Sequence, residues 1–179
     1  MNVANYLTIL RIFLVPFFFT ELVSHTNPED RHRITALAIF FAASLTDSLD
    51  GFLARITGKR TDLGRFLDPL ADKLLLLSGF LGLLFVETLP YRPPLWITVT
   101  IVFRDLVIVT GLLVLYFITG KVDVRPNFLG KSTTAFQMAT LVAILLALKI
   151  SILLWNITAV LTIASCLVYV ARDLSKLKN

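Results

Sequence analysis

Six apolar stretches alternate with short polar connections along the chain. They predict helices over about 5–24, 33–56, 65–89, 94–119, 131–149 and 152–172, since roughly 20 residues at 1.5 Å each span a bilayer. Only 150–171 is free of charge over the length that a lone span prefers; the others carry charges near one end. The breaks between them are Asn27-Pro28, Gly58, Pro90 with Pro93 and Pro94, and Gly120 with Pro126, residues that punctuate regular structure. No sustained heptad or long repeat runs through the chain. Gly79 and Gly82, three apart, give a weak signal for close helix approach.

Composition turns this pattern into a class. The chain is 56% hydrophobic and 16% charged, where a soluble domain is about a quarter charged. The expectation is an all-α integral membrane protein with six transmembrane helices. Its 179 residues leave no room for a separate soluble domain, so 1–179 reads as one membrane domain. The first apolar stretch follows Asn2 and Asn5 rather than basic residues and lacks a small-residue cleavage site, so it reads as a span and not as a signal peptide. Cys166 stands alone, which excludes an internal disulfide and suits packing.

The net charge of +5 is unevenly placed. Arg55, Lys59, Arg60 and Arg65 crowd one connection, Lys121, Arg125 and Lys131 another, and Arg172, Lys176 and Lys178 the C-terminus. Basic connections stay in the cytoplasm, so an even number of spans would put both termini there. Lys59, Arg60 and Lys121 read as a solvated surface that attracts anionic lipid. No basic soluble surface exists to bind nucleic acid.

The candidate chemistry is Asp47-x2-Asp50-Gly51-x2-Ala54-Arg55-x8-Gly64-x3-Asp68-x3-Asp72. Carboxylates three and four apart share a helix face. Asp47 lies 14 residues beyond Arg33, about 21 Å along a helix in a core about 30 Å thick. The third span returns from the same side with Asp68 and Asp72 in its first two turns, so both pairs meet at one depth near the cytoplasmic surface. At about 5 Å and an effective dielectric near 20, each close pair repels by on the order of 3 kcal/mol. Oxygen-only ligands suit a hard divalent cation, Mg²⁺ or Mn²⁺, rather than zinc. Solvated helix caps would explain one or two aspartates; they leave the paired spacing, the small residues and Arg55 unexplained. Arg55 could hold a phosphate oxygen in a fork. Metals and a guanidinium beside lipid point to a diphosphate on a membrane-bound substrate. His25 and His32 belong to the outer side and Cys166 is far along the chain, so by elimination an aspartate takes the acceptor's proton.

This pattern resembles, at every fixed position, the signature of the CDP-alcohol phosphatidyltransferase family. Asn5-Tyr6-Leu7-Thr8-x2-Arg11, Asp68-Pro69-Leu70-Ala71-Asp72-Lys73 and Gly130-Lys131-x-Thr133-Thr134-x2-Gln137 look like its phosphatidylglycerophosphate synthase branch. The resemblance implies six transmembrane helices around a cytoplasm-facing polar cavity, a homodimer, and a bacterial cytoplasmic membrane as the location. It implies that Asp47, Asp50, Asp68 and Asp72 hold two metal ions and that Asp72 is the base. Asp50, Gly51, Ala54, Arg55 and Gly64 would contact the CDP moiety, with Asn5 and Thr8 closing the nucleotide site. The donor would be CDP-diacylglycerol and the acceptor sn-glycerol 3-phosphate, whose hydroxyl attacks the β-phosphorus and releases CMP.

Departures from the family pattern bear on the acceptor. Ala4 stands where many relatives have proline, and Arg104-Asp105 where many have Arg-Glu. The Arg-Asp pair and the Gly130-Lys131 segment also resemble cardiolipin synthases of the family, which use phosphatidylglycerol. Arg104 lies mid-span; adjacent helical residues do not share a face well, so it is expected to leave Asp105 and point into a polar cavity toward the acceptor phosphate. Lys131 and Arg65 join it as candidate phosphate contacts, against plain readings as a snorkelling lysine and a headgroup contact. Arg11 reads either as part of the nucleotide site or as a membrane-edge anchor. Two alternatives of other classes are a cation transporter, which would place acidic residues at the midplane with internal repeats, and a prenyl-diphosphate enzyme, which would not require the Gly-Ala-Arg-Gly framework.

Overall fold

A chain this apolar must satisfy its backbone polar groups within each run, because hydrocarbon offers no partner. The computed structural model is accordingly helical: α1 (Val3–Val23), α2 (Arg31–Thr57), α3 (Asp62–Phe85), α4 (Leu95–Thr119), α5 (Phe128–Leu145) and α6 (Ser151–Leu177). It describes residues 3–24, 31–57, 62–119 and 128–177, with the side chains of 3–5, 47–57, 62–66, 68–69, 112, 115–116, 118–119 and 169–177 outside the described set. No strand occurs among the described residues.

Among the described residues, three helices are long and apolar enough to cross a membrane, through Tyr6–Val23, Phe128–Leu145 and Ser151–Val168. Large apolar side chains cover the outside of the bundle, among them Phe13, Phe17, Phe41, Trp96, Phe103 and Leu167. A surface of that kind has lipid as its solvent, and the protein is a membrane protein. α2 and α3 carry the charged motif, which dilutes their hydropathy.

α1 packs along both α2 and α3, α5 along α6, and α4 along α3 and α6. One apolar core joins them, with Phe18, Leu22, Phe40, Leu75, Leu76 and Phe80 fully or almost fully buried. Phe18 and Phe40 meet at 5.6 Å between ring centroids. Gly79 and Gly82 are where α3 comes closest to its neighbours. A Cβ on Gly79 would lie 2.8 Å from a Leu141 methyl, and one on Gly82 would lie 2.6 Å from a Leu22 methyl. The weak glycine signal in the sequence therefore marks a real close approach.

Two helices end earlier than their hydropathy predicts. α3 stops at Phe85 rather than near residue 89, where the polar Glu87 and Thr88 follow the apolar run. Arg92 caps the exposed end by donating to the Leu84 carbonyl at 2.8 Å. α5 stops at Leu145 rather than near 149. Ala147 takes φ 55°, and the Leu148 and Ala147 amides reach back to the Ala143 and Ile144 carbonyls, both at 2.9 Å. That pairing closes a helix through a left-handed residue, a position usually held by glycine; with alanine there, the sequence gives no stop signal. α6 runs past 172 to Leu177, since no glycine or proline interrupts it.

Candidate active site

The acidic motif lies on two adjacent helices. Asp47, Asp50, Gly51, Ala54 and Arg55 lie in the second half of α2, and Gly64, Arg65, Asp68 and Asp72 in the first half of α3. Residues 58–61 join the two helices, which pack against each other. Counted from that connection, Asp50 and Asp68 lie about 10 Å along their helices, and Asp47 and Asp72 about 15 Å. By this count each helix carries one aspartate at each of two similar distances from the connection. Asp47, Asp50 and Ala54 share one face of α2 by helical spacing, as Gly64, Asp68 and Asp72 do on α3. Asp72 is half-buried. The side chains of Asp47, Asp50, Arg55, Arg65 and Asp68, and that of Asn5 on α1, lie outside the described residues. Among the described residues no three His, Cys, Asp or Glu side chains gather into a metal-binding group.

Immediately beyond Asp72 is a cluster whose members appear in the sequence motifs but whose meeting the sequence did not show. Lys73 is 8% exposed and reaches from α3 into the bundle. Its Nζ donates to Asp105 Oδ1 at 3.1 Å, to Thr134 Oγ1 at 3.1 Å and, more weakly, to Gln137 Oε1 at 3.5 Å. Asp105 is 1% exposed. Its Oδ1 also accepts from Arg104 Nη1 at 2.8 Å, and its Oδ2 accepts from Gln137 Nε2 at 3.1 Å. Arg104 Nη2 continues to Ser165 Oγ at 2.8 Å. The cluster therefore joins α3 to α4 through the buried Lys73–Asp105 ion pair and reaches α5 and α6 through hydrogen bonds; removing one partner of a buried ion pair costs about 3–5 kcal/mol.

This geometry corrects the adjacency argument for Arg104. Neighbouring Cβ atoms do diverge by about 100° around a helix, but the long, flexible arginine stem curls back to the Asp105 carboxylate. Arg104 is nearly fully buried, and a Cβ built on Gly130 would sit 3.8 Å from its Nη2. Lys131, the next residue, is exposed.

A signal for the cluster was present in α5. Gly130, Thr133, Thr134 and Gln137 recur on one helical face, and Thr133 and Gln137 are fully buried. In lipid the polar face of a helix turns inward, so a polar stripe marks what a hydrophobic stripe marks in water. The opposing stripe on α6 holds Ser151, Thr158, Thr162 and Ser165, all buried. Thr140 and Thr158 hydroxyls join the two stripes at 2.9 Å.

Arg11 does not fit its reading as a membrane-edge anchor, because it is fully buried. Its Nε donates to the Ala43 carbonyl at 3.2 Å, which also accepts from Thr46 Oγ1 at 2.7 Å. That carbonyl lies one turn before Asp47, so α1 is pinned to α2 just ahead of the motif. Thr8, one turn before Arg11, is likewise fully buried.

The chain is a helical membrane protein whose acidic motif lies on two neighbouring helices. The model of the CDP-alcohol phosphatidyltransferase family matches residues 1–170, and the chain belongs to that family. It is similar to the "Probable phosphatidylglycerophosphate synthase" of Mycobacterium tuberculosis (strain ATCC 25618 / H37Rv), 35% identical over 180 residues that cover 97% of this chain and 82% of that protein. The CDP-diacylglycerol--glycerol-3-phosphate 3-phosphatidyltransferase of Bacillus subtilis (strain 168) is 34% identical over 157 residues, 81% of this chain and 77% of that one. The protein of the same name in Escherichia coli (strain K12) is 32% identical over 178 residues, 95% and 93% of the two chains.

Proposed function

We propose that the protein transfers a phosphatidyl group from CDP-diacylglycerol to sn-glycerol 3-phosphate, giving phosphatidylglycerophosphate and CMP. What carries this reading is the likeness, over 97% of the chain, to a relative named for that product; relatives named for the reaction itself lie at 34% and 32% identity. The similar distances of the aspartates on α2 and α3 from their connection support it. Family membership counts against a cation transporter or a prenyl-diphosphate enzyme.

The donor set fits hard divalent ions: four carboxylates, with no sulfur or imidazole in the motif, on two helices that contact each other. Asp47, Asp50, Asp68 and Asp72 would hold two Mg²⁺ or Mn²⁺, which when bound neutralise charge on the diphosphate. Asp72 takes the proton of the acceptor hydroxyl. That hydroxyl oxygen forms the new bond to the β-phosphorus, the bond between this phosphorus and the bridging oxygen breaks, and CMP leaves with the electron pair. Arg55 forks a phosphate oxygen. Gly51, Ala54 and Gly64 leave room for the nucleotide, with Asn5 and Thr8 closing it from α1. Arg65 and Lys131 meet the acceptor phosphate. Arg104 meets it with guanidinium donors other than the two that engage Asp105 and Ser165.

In this reading all six helices cross the membrane as one domain. The cavity opens to the cytoplasm, both termini lie there, and two copies pair in a bacterial cytoplasmic membrane. The test supplies purified protein with radiolabelled CDP-diacylglycerol and, in parallel, glycerol 3-phosphate, phosphatidylglycerol, inositol phosphate or serine. Labelled phosphatidylglycerophosphate is expected from the first arm alone. Labelled cardiolipin from the second arm would reassign the acceptor, and no labelled lipid from any arm would end the transferase reading.

A further inference from the structure

Lys73, Asp105 and Gln137 have no part in the chemistry above, yet Lys73 sits one residue from the proposed base. An ammonium has three N–H donors, and Lys73 Nζ faces three acceptors, on Asp105, Thr134 and Gln137. No donor is left for a substrate anion. Asp105 is similarly committed, with Lys73 and Arg104 on one oxygen and Gln137 on the other, so it is neither a free base nor a free metal ligand. A substrate-binding role for this pair is therefore poorly supported, and its purpose must lie within the protein.

Its cost argues that the purpose is not stability. Buried ion pairs give up solvation that apolar residues of similar volume would not lose, and α3 already packs through Ala71, Leu75 and Leu76, all fully buried. Apolar contact is non-directional and leaves the rotation of a helix about its axis loosely set. Hydrogen bonds weaken steeply with angle and fix that rotation. Asp72 and Lys73 project about 100° apart around α3. Holding Lys73 between α4 and α5 thus sets the direction in which Asp72 leaves the helix.

We propose that Lys73, Asp105 and Gln137 form a rotational lock on α3, positioning residues that hold Asp72 at its working angle toward the metal and acceptor without touching either. This rests on the assignment of Asp72 under the proposed function. A misplacement of about 1 Å at a reacting group can cost on the order of 100-fold in rate. Loss of a group that orients a metal ligand typically weakens metal binding by about 10–100-fold.

The experiment compares wild type, Lys73→Met and Gln137→Leu in lipid nanodiscs. It measures Mn²⁺ binding by electron paramagnetic resonance, steady-state kinetics and thermal unfolding. Thr158→Val, which breaks the α5–α6 hydroxyl pair away from the cluster, is the stability control. In Lys73→Met, kcat should fall about 100-fold and Mn²⁺ binding weaken about tenfold, with the acceptor KM within about threefold of wild type. Gln137→Leu leaves Lys73 in place and should move both quantities the same way, by about threefold to tenfold. Thr158→Val should lower the unfolding midpoint and keep wild-type kcat and Mn²⁺ binding. Should Lys73→Met fail to fold, Gln137→Leu decides alone, and wild-type kcat and Mn²⁺ binding there overturn the lock. A lowered unfolding midpoint with unchanged kcat and Mn²⁺ binding in Lys73→Met reduces the cluster to packing and overturns it. A raised acceptor KM with kcat preserved makes Lys73 a substrate contact and overturns it as well. If wild type yields no labelled lipid, the functional reading fails; the Mn²⁺ measurement still separates an intact lock from none.

Discussion

The two halves of α3 are held by opposite means. Toward its C-terminal end Gly79 and Gly82 let the helix nest against Leu141 and Leu22, in a core with Phe80 and Leu83 almost fully buried. Toward its N-terminal end Lys73 is fastened by ion pair and hydrogen bonds to α4 and α5. The first half gains its stability from apolar surface removed from its surroundings and from close packing, which tolerates small rotations. The second forgoes some of that gain for direction. The carboxylates lie at the end where direction is enforced, so substitutions in the two halves should have different signatures.

The largest expected effect is at Asp72. Asp72→Asn should cut kcat by about 10²–10⁴-fold while the unfolding midpoint stays within the range of a surface substitution; substantial remaining turnover would remove Asp72 as the base. Next comes Lys131→Ala at the exposed start of α5, expected to raise the KM for glycerol 3-phosphate by about tenfold with the CDP-diacylglycerol KM unchanged. Equal acceptor KM in the two proteins would remove Lys131 from the phosphate site. In the other half of the helix the order inverts. Gly79→Leu should destabilise the protein by about 1–3 kcal/mol through overpacking and leave both KM values alone, measured by chemical unfolding and kinetics. A comparable loss of turnover in the surviving folded fraction would erase the contrast between the halves. The smallest effect is a gain: Ala147→Gly relieves a left-handed alanine and should add about 1 kcal/mol of stability. No gain would mean that the α5–α6 turn carries no strain.

Much of this architecture was legible in the chain. Six helices follow from apolar length, and the acidic motif follows from spacing that no cap or packing rule produces. What misled was local. The expected helices run through Val86–Leu89 and Leu146–Lys149, while those in the structure end earlier, at Phe85 and Leu145; Glu87 and Thr88 interrupt the first apolar run, and the second end is set by a left-handed alanine that composition does not announce. Arg104 and Asp105 were separated on the strength of Cβ directions, which short side chains obey and arginine does not. Lys73 was hidden by its position: a lysine beside an aspartate near a basic connection resembles a solvated pair. Its burial depends on polar partners contributed by Asp105 and Gln137, 32 and 64 residues away, and no local pattern encodes such a meeting. The polar stripe of α5 was the available clue, read with its sign reversed for lipid.

The α1–α2 hairpin is fastened at two levels. Glu21 and His32 join near the connection between the helices, 2.8 Å apart, and Arg11 grips the Ala43 carbonyl farther along. A hairpin stitched in two places resists being prised open like a door. Under the proposed function, a two-tailed donor arriving sideways from the bilayer would have to part other helices than these two.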